Sequence, residues 1–287
     1  MRTLNSMQRL RSHPPFNARR TARAARSDIV VARMGRGPVT LVSFDIDGTL
    51  IRSAGQDANR LHKEAFSAGF QRVFGIDTHI DVVKHHGGTD PLIAVKVMMH
   101  HGIPKSTALE RLPELEAAMT DHFTRHQERA GQGLVLLPGV RQLLERLQER
   151  PDVATCLVTG NLEPIGWGKM TALGIDHLFT APRFGGFGSD HCSGDVDEMW
   201  RDRAEFVKVA ARRCAEALPG VPVAAHWHVG DTPMDVRAAL QSGARALGVA
   251  TGVFPQSELD CLGSPPELVV LPTLEDTDAV MAALGLA

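Results

Sequence analysis

The chain has 287 residues, a formal charge of −2 and 43% hydrophobic side chains, enough to bury a core in one large domain or two. No stretch reaches the roughly 18 apolar residues that a membrane span requires, so no membrane partner is expected. The charge hides an asymmetry: residues 1–35 carry eight Arg, no Lys and one acid, Asp28. Taking those eight from 31 basic side chains and that one from 33 acidic ones leaves 23 against 32, an acidic body for which no nucleic-acid partner is expected.

The leader, residues 1–35, is rich in Arg, Ser, Ala and Thr, the composition of an organelle transit peptide, and lacks the apolar core of a secretory signal. A disordered basic tail is the alternative. The context Ile29-Val30-Val31-Ala32-Arg33 is similar to stromal cleavage sites. It favours the chloroplast over the mitochondrion. The four Cys, at 156, 192, 214 and 261, form no Cys-x-x-Cys pair and read as isolated thiols of a reduced compartment.

Val39–Phe44 reads as a buried strand, since only the small hydroxyls of Thr40 and Ser43 interrupt its apolar run. It ends in Asp45-Ile46-Asp47-Gly48-Thr49, two carboxylates at i and i+2. Such a pair suits a nucleophile or a pair of metal ligands. The plain alternative is a solvated turn, for which Asp-Gly is a common dipeptide. Residues 56–73, 90–101 and 106–130 read as helices, the third interrupted near Pro113, and no strand signal appears between 51 and 133.

From Leu137 strand and helix alternate: helix 138–150, strand 153–158, helix 163–173, a short strand 178–181, and a Gly-rich loop 184–191 beside a strand end. Helix 199–217, strand 223–229, helix 234–243, strand 245–249, a strand near 268–271 and helix 275–284 follow. This alternation predicts an α/β fold, a Rossmann-like parallel sheet with right-handed crossovers and an inserted all-helical domain. The expected divisions are a core of residues 36–50 and 136–287 and an insert of residues 51–135.

Two further strand ends carry polar clusters: Val158-Thr159-Gly160-Asn161, and Gly230-Asp231-Thr232-Pro233-Met234-Asp235. Carboxyl ends of parallel strands share one edge, where ligands bind. Nucleophile, carboxylate metal ligands, a cation and hydroxyl donors are what a phosphoryl group requires. The His pairs 85/86 and 100/101, with His226 and His228, lack acids or Cys at zinc spacing and read as surface or polar-core residues.

Together the three motifs resemble those of the haloacid dehalogenase-like superfamily, over residues 38–285. The resemblance implies that Asp45 attacks phosphorus and that Asp47 is general acid and base. It implies that Thr159 binds phosphoryl oxygens, with Gly48, Thr49, Gly160 and Asn161 as further substrate contacts. Mg²⁺ would be held by Asp45, Asp231 and the backbone carbonyl of Asp47, with Asp235 supporting the metal's water shell. The family's usual Lys-Pro is missing; Trp200-Arg201-Asp202-Arg203 stands in its place. Lys169 is the candidate cation, with Lys208 and Arg203 as alternatives. The insert is similar to the helical cap of some relatives, in which His62 and Gly88, of Gly87-Gly88-Thr89-Asp90, would touch substrate.

The resulting expectation is a Mg²⁺-dependent phosphatase acting on a small phosphorylated metabolite, most similar to the phosphoglycolate phosphatase-like branch. A sugar phosphomutase and an inactive binding subunit are the alternatives. The cap is expected to be a mobile lid, hinged at Gly55 and at Gly131-Gln132-Gly133. It is expected to rank substrates through His62 and Asp90.

Overall fold

A computed structural model describes residues 37–55 and 57–287, so the expected transit peptide lies outside the described residues. Six strands form one parallel sheet: β1 (Val39–Phe44), β4 (Val153–Thr159), β5 (Gly185–Phe187), β6 (Val223–Gly230), β7 (Arg245–Val249) and β8 (Leu268–Leu271). Their order is β5-β4-β1-β6-β7-β8. β1 is central, with Phe44 in register with Leu157 on one side and Val229 on the other.

Helices cover both faces, which is why the middle strands read as continuous apolar runs. On one face, α5 (Val140–Glu149), α6 (Glu163–Ala172) and α10 (Thr277–Ala283) bury Leu143, Leu147, Trp167, Met170 and Met281. On the other, α7 (Trp200–Ala217), α8 (Pro233–Gln241) and the short α9 (Gln256–Asp260) bury Phe206, Val207, Val236 and Leu259. Connections therefore change face on either side of β1. That puts the topological switch at the carboxyl ends of β1, β4 and β6.

The insert is four helices, α1 (Arg60–Phe74), α2 (Asp90–His100), α3 (Lys105–Glu110) and α4 (Leu112–Arg125). The expected break near Pro113 falls at Arg111, with Pro113 in the first turn of α4, where its missing N–H costs nothing. Both passages to the core are strands that the sequence did not signal. β2 (Ile51–Ser53) pairs antiparallel with β3 (Leu134–Leu136), Ile51 opposite Leu136. Three residues each, with Arg52 and Ser53 exposed, give no readable period.

The edge strand corrects the sequence reading. Residues 176–178 form a 3₁₀ turn, not the start of a strand, and the strand is Gly185–Phe187 inside the stretch expected to be loop. The glycines mark close packing. A Cβ on Gly186 would lie 2.0 Å from the Phe206 carbonyl oxygen of α7.

Candidate active site

Each cluster predicted at a strand end arrives at one edge. Asp45 still pairs as a strand residue, its N–H donating to the Val229 carbonyl at 2.9 Å. The chain then turns at Gly48, whose φ of +99° excludes a side chain. Thr159 closes β4, and Asp231 follows β6. Asp235 lies in the first turn of α8, where its carboxylate accepts from the Thr232 N–H and hydroxyl at 3.0 and 2.7 Å, one half of a capping box.

Two buried cations divide the carboxylates between them. Lys169 is fully buried, and its Nζ lies 2.9 and 2.7 Å from the two Asp47 oxygens and 2.8 Å from Asn161 Oδ1. Asn161 Nδ2 donates to Asp47 at 2.9 Å and to Thr159 Oγ1 at 3.0 Å. With Oγ1 accepting there, the Thr159 hydroxyl keeps its own proton free to donate. Arg203 Nη1 bridges Asp45 and Asp235 at 2.9 and 2.8 Å. Lys208, the other alternative, pairs with Glu205 on the exposed face of α7.

Burial pushes the Asp45 carboxyl up to about 6 even though Arg203 opposes it. Burial likewise drives Asp231 well above the ordinary carboxylate range, and the charges of Asp235 and Asp45 add to it. For Asp235 burial is outweighed by Arg203 and by His228, which hold it at about 2. For Asp47, burial is outweighed by Lys169 and His62, and its carboxyl sits below its usual value.

Oxygen atoms of Asp45, Asp231 and Asp235 lie within 4.8 Å of one another, all three residues buried. Asp231 accepts from the Thr49 hydroxyl at 3.0 Å and, among the described residues, has no ion pair. This set of hard oxygen donors, with more negative charge than Arg203 neutralises, fits a divalent cation of the Mg²⁺ kind. The Asp47 side chain stands outside the cluster, on Lys169. Gly48 and Thr49 back Asp231 and do not line the cleft. A Cβ on Gly48 would meet Asp231 Oδ2 at 2.3 Å.

Between sheet edge and insert lies a cleft of about 370 Å³. Asp45, Asp47, Thr159, Gly160, Asn161 and Arg203 form its floor, with His62 and Gly88 on the insert side. A family model described as haloacid dehalogenase-like hydrolase matches residues 39–243. The chain belongs to the haloacid dehalogenase-like hydrolases.

Solved structures share the fold. A hydrolase from Pseudomonas syringae is 20% identical, covering 85% of this chain and 98% of its own, with a TM-score of 0.56. A predicted phosphatase from Clostridium acetobutylicum is 17% identical, covering 85% and 99%, at 0.54. CbbY from Rhodobacter sphaeroides, solved in complex with phosphate, is 17% identical, covering 83% and 95%, at 0.53. No curated protein sequence matches significantly.

Around the carboxylates of this haloacid dehalogenase-like hydrolase stand residues that sequence reasoning did not place at the site. Asn59 Nδ2 approaches Asp47 Oδ1 at 3.5 Å, and the Thr251 hydroxyl donates to the Gly48 carbonyl at 2.6 Å. Below Asp235, His228 Nε2 lies 3.4 Å from its Oδ1, and His228 Nδ1 lies 3.2 Å from Ser43 Oγ. A signal for this last pair existed. Ser43 and His228 are polar residues in adjacent buried strands, and the register sets them side by side.

Proposed function

We propose that this hydrolase is a Mg²⁺-dependent phosphatase of small phosphorylated metabolites that works through an aspartyl-phosphate. The observation that carries the reading is the pair Asp45 and Asp47 in the floor of the cleft, each on its own buried cation, beside the donors Thr159 and Asn161. That a structural neighbour is solved with phosphate supports it.

The chemistry assigned to the chain balances. An Asp45 oxygen forms a bond to phosphorus while the phosphorus–oxygen bond to the leaving group breaks. Asp47 gives that oxygen a proton, then takes one from the water that hydrolyses the acyl phosphate. In the resting arrangement Asp47 is the anion on Lys169; a phosphoryl dianion arriving beside it raises its proton affinity, so that Asp47 takes up a proton from solvent before it donates one. Thr159 and Asn161 orient the phosphoryl oxygens, and Arg203 aims Asp45. Asp45, Asp231 and Asp235 would hold Mg²⁺, which when bound offsets their charge and that of the phosphoryl group. A cleft of about 370 Å³ limits the substrate to a small molecule.

The test is free-phosphate release across a panel of phosphorylated acids and sugar phosphates, with and without Mg²⁺, for the wild type and Asp45→Asn. The amide is nearly isosteric and is not a nucleophile. The folded variant should retain under about 1% of turnover, a loss of ~3 kcal/mol or more in transition-state stabilisation. Substantial turnover by Asp45→Asn, or full activity in excess chelator, would refute the mechanism. Transfer of phosphate to a second hydroxyl without net release would mean a mutase.

A further inference from the structure

The loop Thr159–Leu162, which presents Thr159 and Asn161 to the cleft, is gripped by the insert. Asp90, the first residue of α2, donates its N–H to the Gly160 carbonyl at 2.8 Å. Its Oδ2 accepts from the Leu162 N–H at 3.0 Å and lies 2.9 Å from His62 Nε2 of α1. Asp90 and His62 are 4% and 7% exposed. The approach needs bare backbone. A Cβ on Gly160 would lie 2.4 Å from the Gly88 oxygen, and one on Gly188 would lie 2.3 Å from the Gly160 oxygen. The Gly188 N–H in turn donates to the Asn161 carbonyl at 2.9 Å. The Gly-rich stretch after β5 thus seats the far side of the loop.

We propose that Asp90 and His62 are positioning residues: a latch through which the docked insert fixes the Thr159–Leu162 loop, and with it Thr159, Asn161 and the start of the Lys169 helix. Leu162 is the N-cap residue of α6, where N–H groups have no partner within the helix. Asp90 supplies that partner from another part of the chain, and its charge complements the helix terminus. His62 Nε2 is committed to Asp90. The pair therefore acts on alignment of the phosphoryl-binding loop, not on the choice of substrate that the sequence suggested for it. What the loop binds rests on the phosphatase reading; the latch itself rests on the contacts alone.

Two measurements on the full chain separate the two claims. The first needs no activity: amide hydrogen exchange of wild type, Asp90→Ala, Asp90→Asn and His62→Ala. Asp90→Ala should speed exchange in the 159–163 segment by about ten- to hundredfold, the size of one charge-assisted hydrogen bond, and leave β7 unchanged. Asp90→Asn keeps an acceptor for Leu162 and should restore part of the protection. The second is hydrolysis of p-nitrophenyl phosphate and of the metabolite panel. In Asp90→Ala and His62→Ala, kcat should fall about tenfold or more, with half-saturation by Mg²⁺ and the ranking of substrates unchanged. Unchanged exchange at 159–163, or equally faster exchange everywhere, overturns the latch. A loosened loop with altered substrate ranking and intact kcat overturns the positioning role. If the wild type hydrolyses no phosphomonoester, the phosphatase reading fails while the exchange result still decides the latch.

Discussion

Asp231 is anchored by one hydroxyl, that of Thr49, and walled by two glycines. A Cβ at Gly48 would stand 2.3 Å from its Oδ2 and one at Gly252 only 1.7 Å. Gly48 is fixed by its backbone conformation in any case. Gly252 is exposed and lies outside the left-handed region, so Ala there costs the backbone little, and the three atoms nearest its Cβ all belong to the Asp231 side chain. Gly252→Ala should therefore leave the melting temperature within a degree or two and weaken Mg²⁺ binding by about 10–100-fold, the effect of disturbing a ligand's support. Isothermal titration with Mg²⁺ reads this directly; unaltered affinity would remove Asp231 from the ligand set. Residues of this kind explain what the sequence did and did not disclose about the site. Asp45, Asp47, Asp231 and Asp235 were legible because short spacings at strand ends place them whatever the packing. Gly252, Thr251 and Asn59 come from loops that only the tertiary fold brings near. The cation was half legible. Lys169 and Arg203 stood as rivals in the sequence, and the structure uses both, because two carboxylates in separate niches each need a charge.

At the scale of elements, α4 carries a carboxyl placed against the core. Burial, with the Asp90 carboxylate nearby, pushes Glu116 up to about 7 from an ordinary 4.5. The folded chain then holds a proton that the unfolded chain releases. Stability contributed by this residue falls as pH rises from about 4.5 and levels off above about 7. Glu116→Gln removes the penalty. It should raise the melting temperature by roughly 2–4 °C at pH 8 and change nothing at pH 4.5 or below. Calorimetry of both proteins at several pH values checks it, and a gain independent of pH would point to packing instead of charge. The other helices were legible from their apolar spacing, as Leu143, Leu144 and Leu147 show on the buried side of α5. β5 was not, because glycine carries no strand signal. Gly185 is there to admit the Leu157 carbonyl of β4, and Gly186 the backbone of α7 at Phe206, a demand set by a helix 20 residues further along the chain.

Among the described residues, the apolar interior falls into three clusters, two on the faces of the sheet and one inside the insert. The third does not stop at the insert. Leu162 and Ile165, from the core's α6 region, belong to it, and Cys192 and Val196 pack against it from the β5–α7 connection. At the positions expected to hinge a lid, Gly55 and Gly133 take φ of +73° and +68° beside the β2–β3 ribbon. Yet in the docked arrangement the Ala54 N–H donates to the Gly133 carbonyl at 2.8 Å, and opening would expose part of a shared core. The balance favours one cooperative body. Ile165 is fully buried, and Ile165→Ala should cost about 2–5 kcal/mol by transfer and cavity terms. The loss should appear equally in two probes. Trp fluorescence reports the core alone, since Trp167, Trp200 and Trp227 all lie outside the insert. Far-UV circular dichroism includes the four insert helices. Coincident urea transitions, both shifted by the substitution, are the expected result for a two-state unit. If ellipticity instead drops first while Trp fluorescence holds, the insert melts on its own. The shared cluster is then a resting contact and not a joint core.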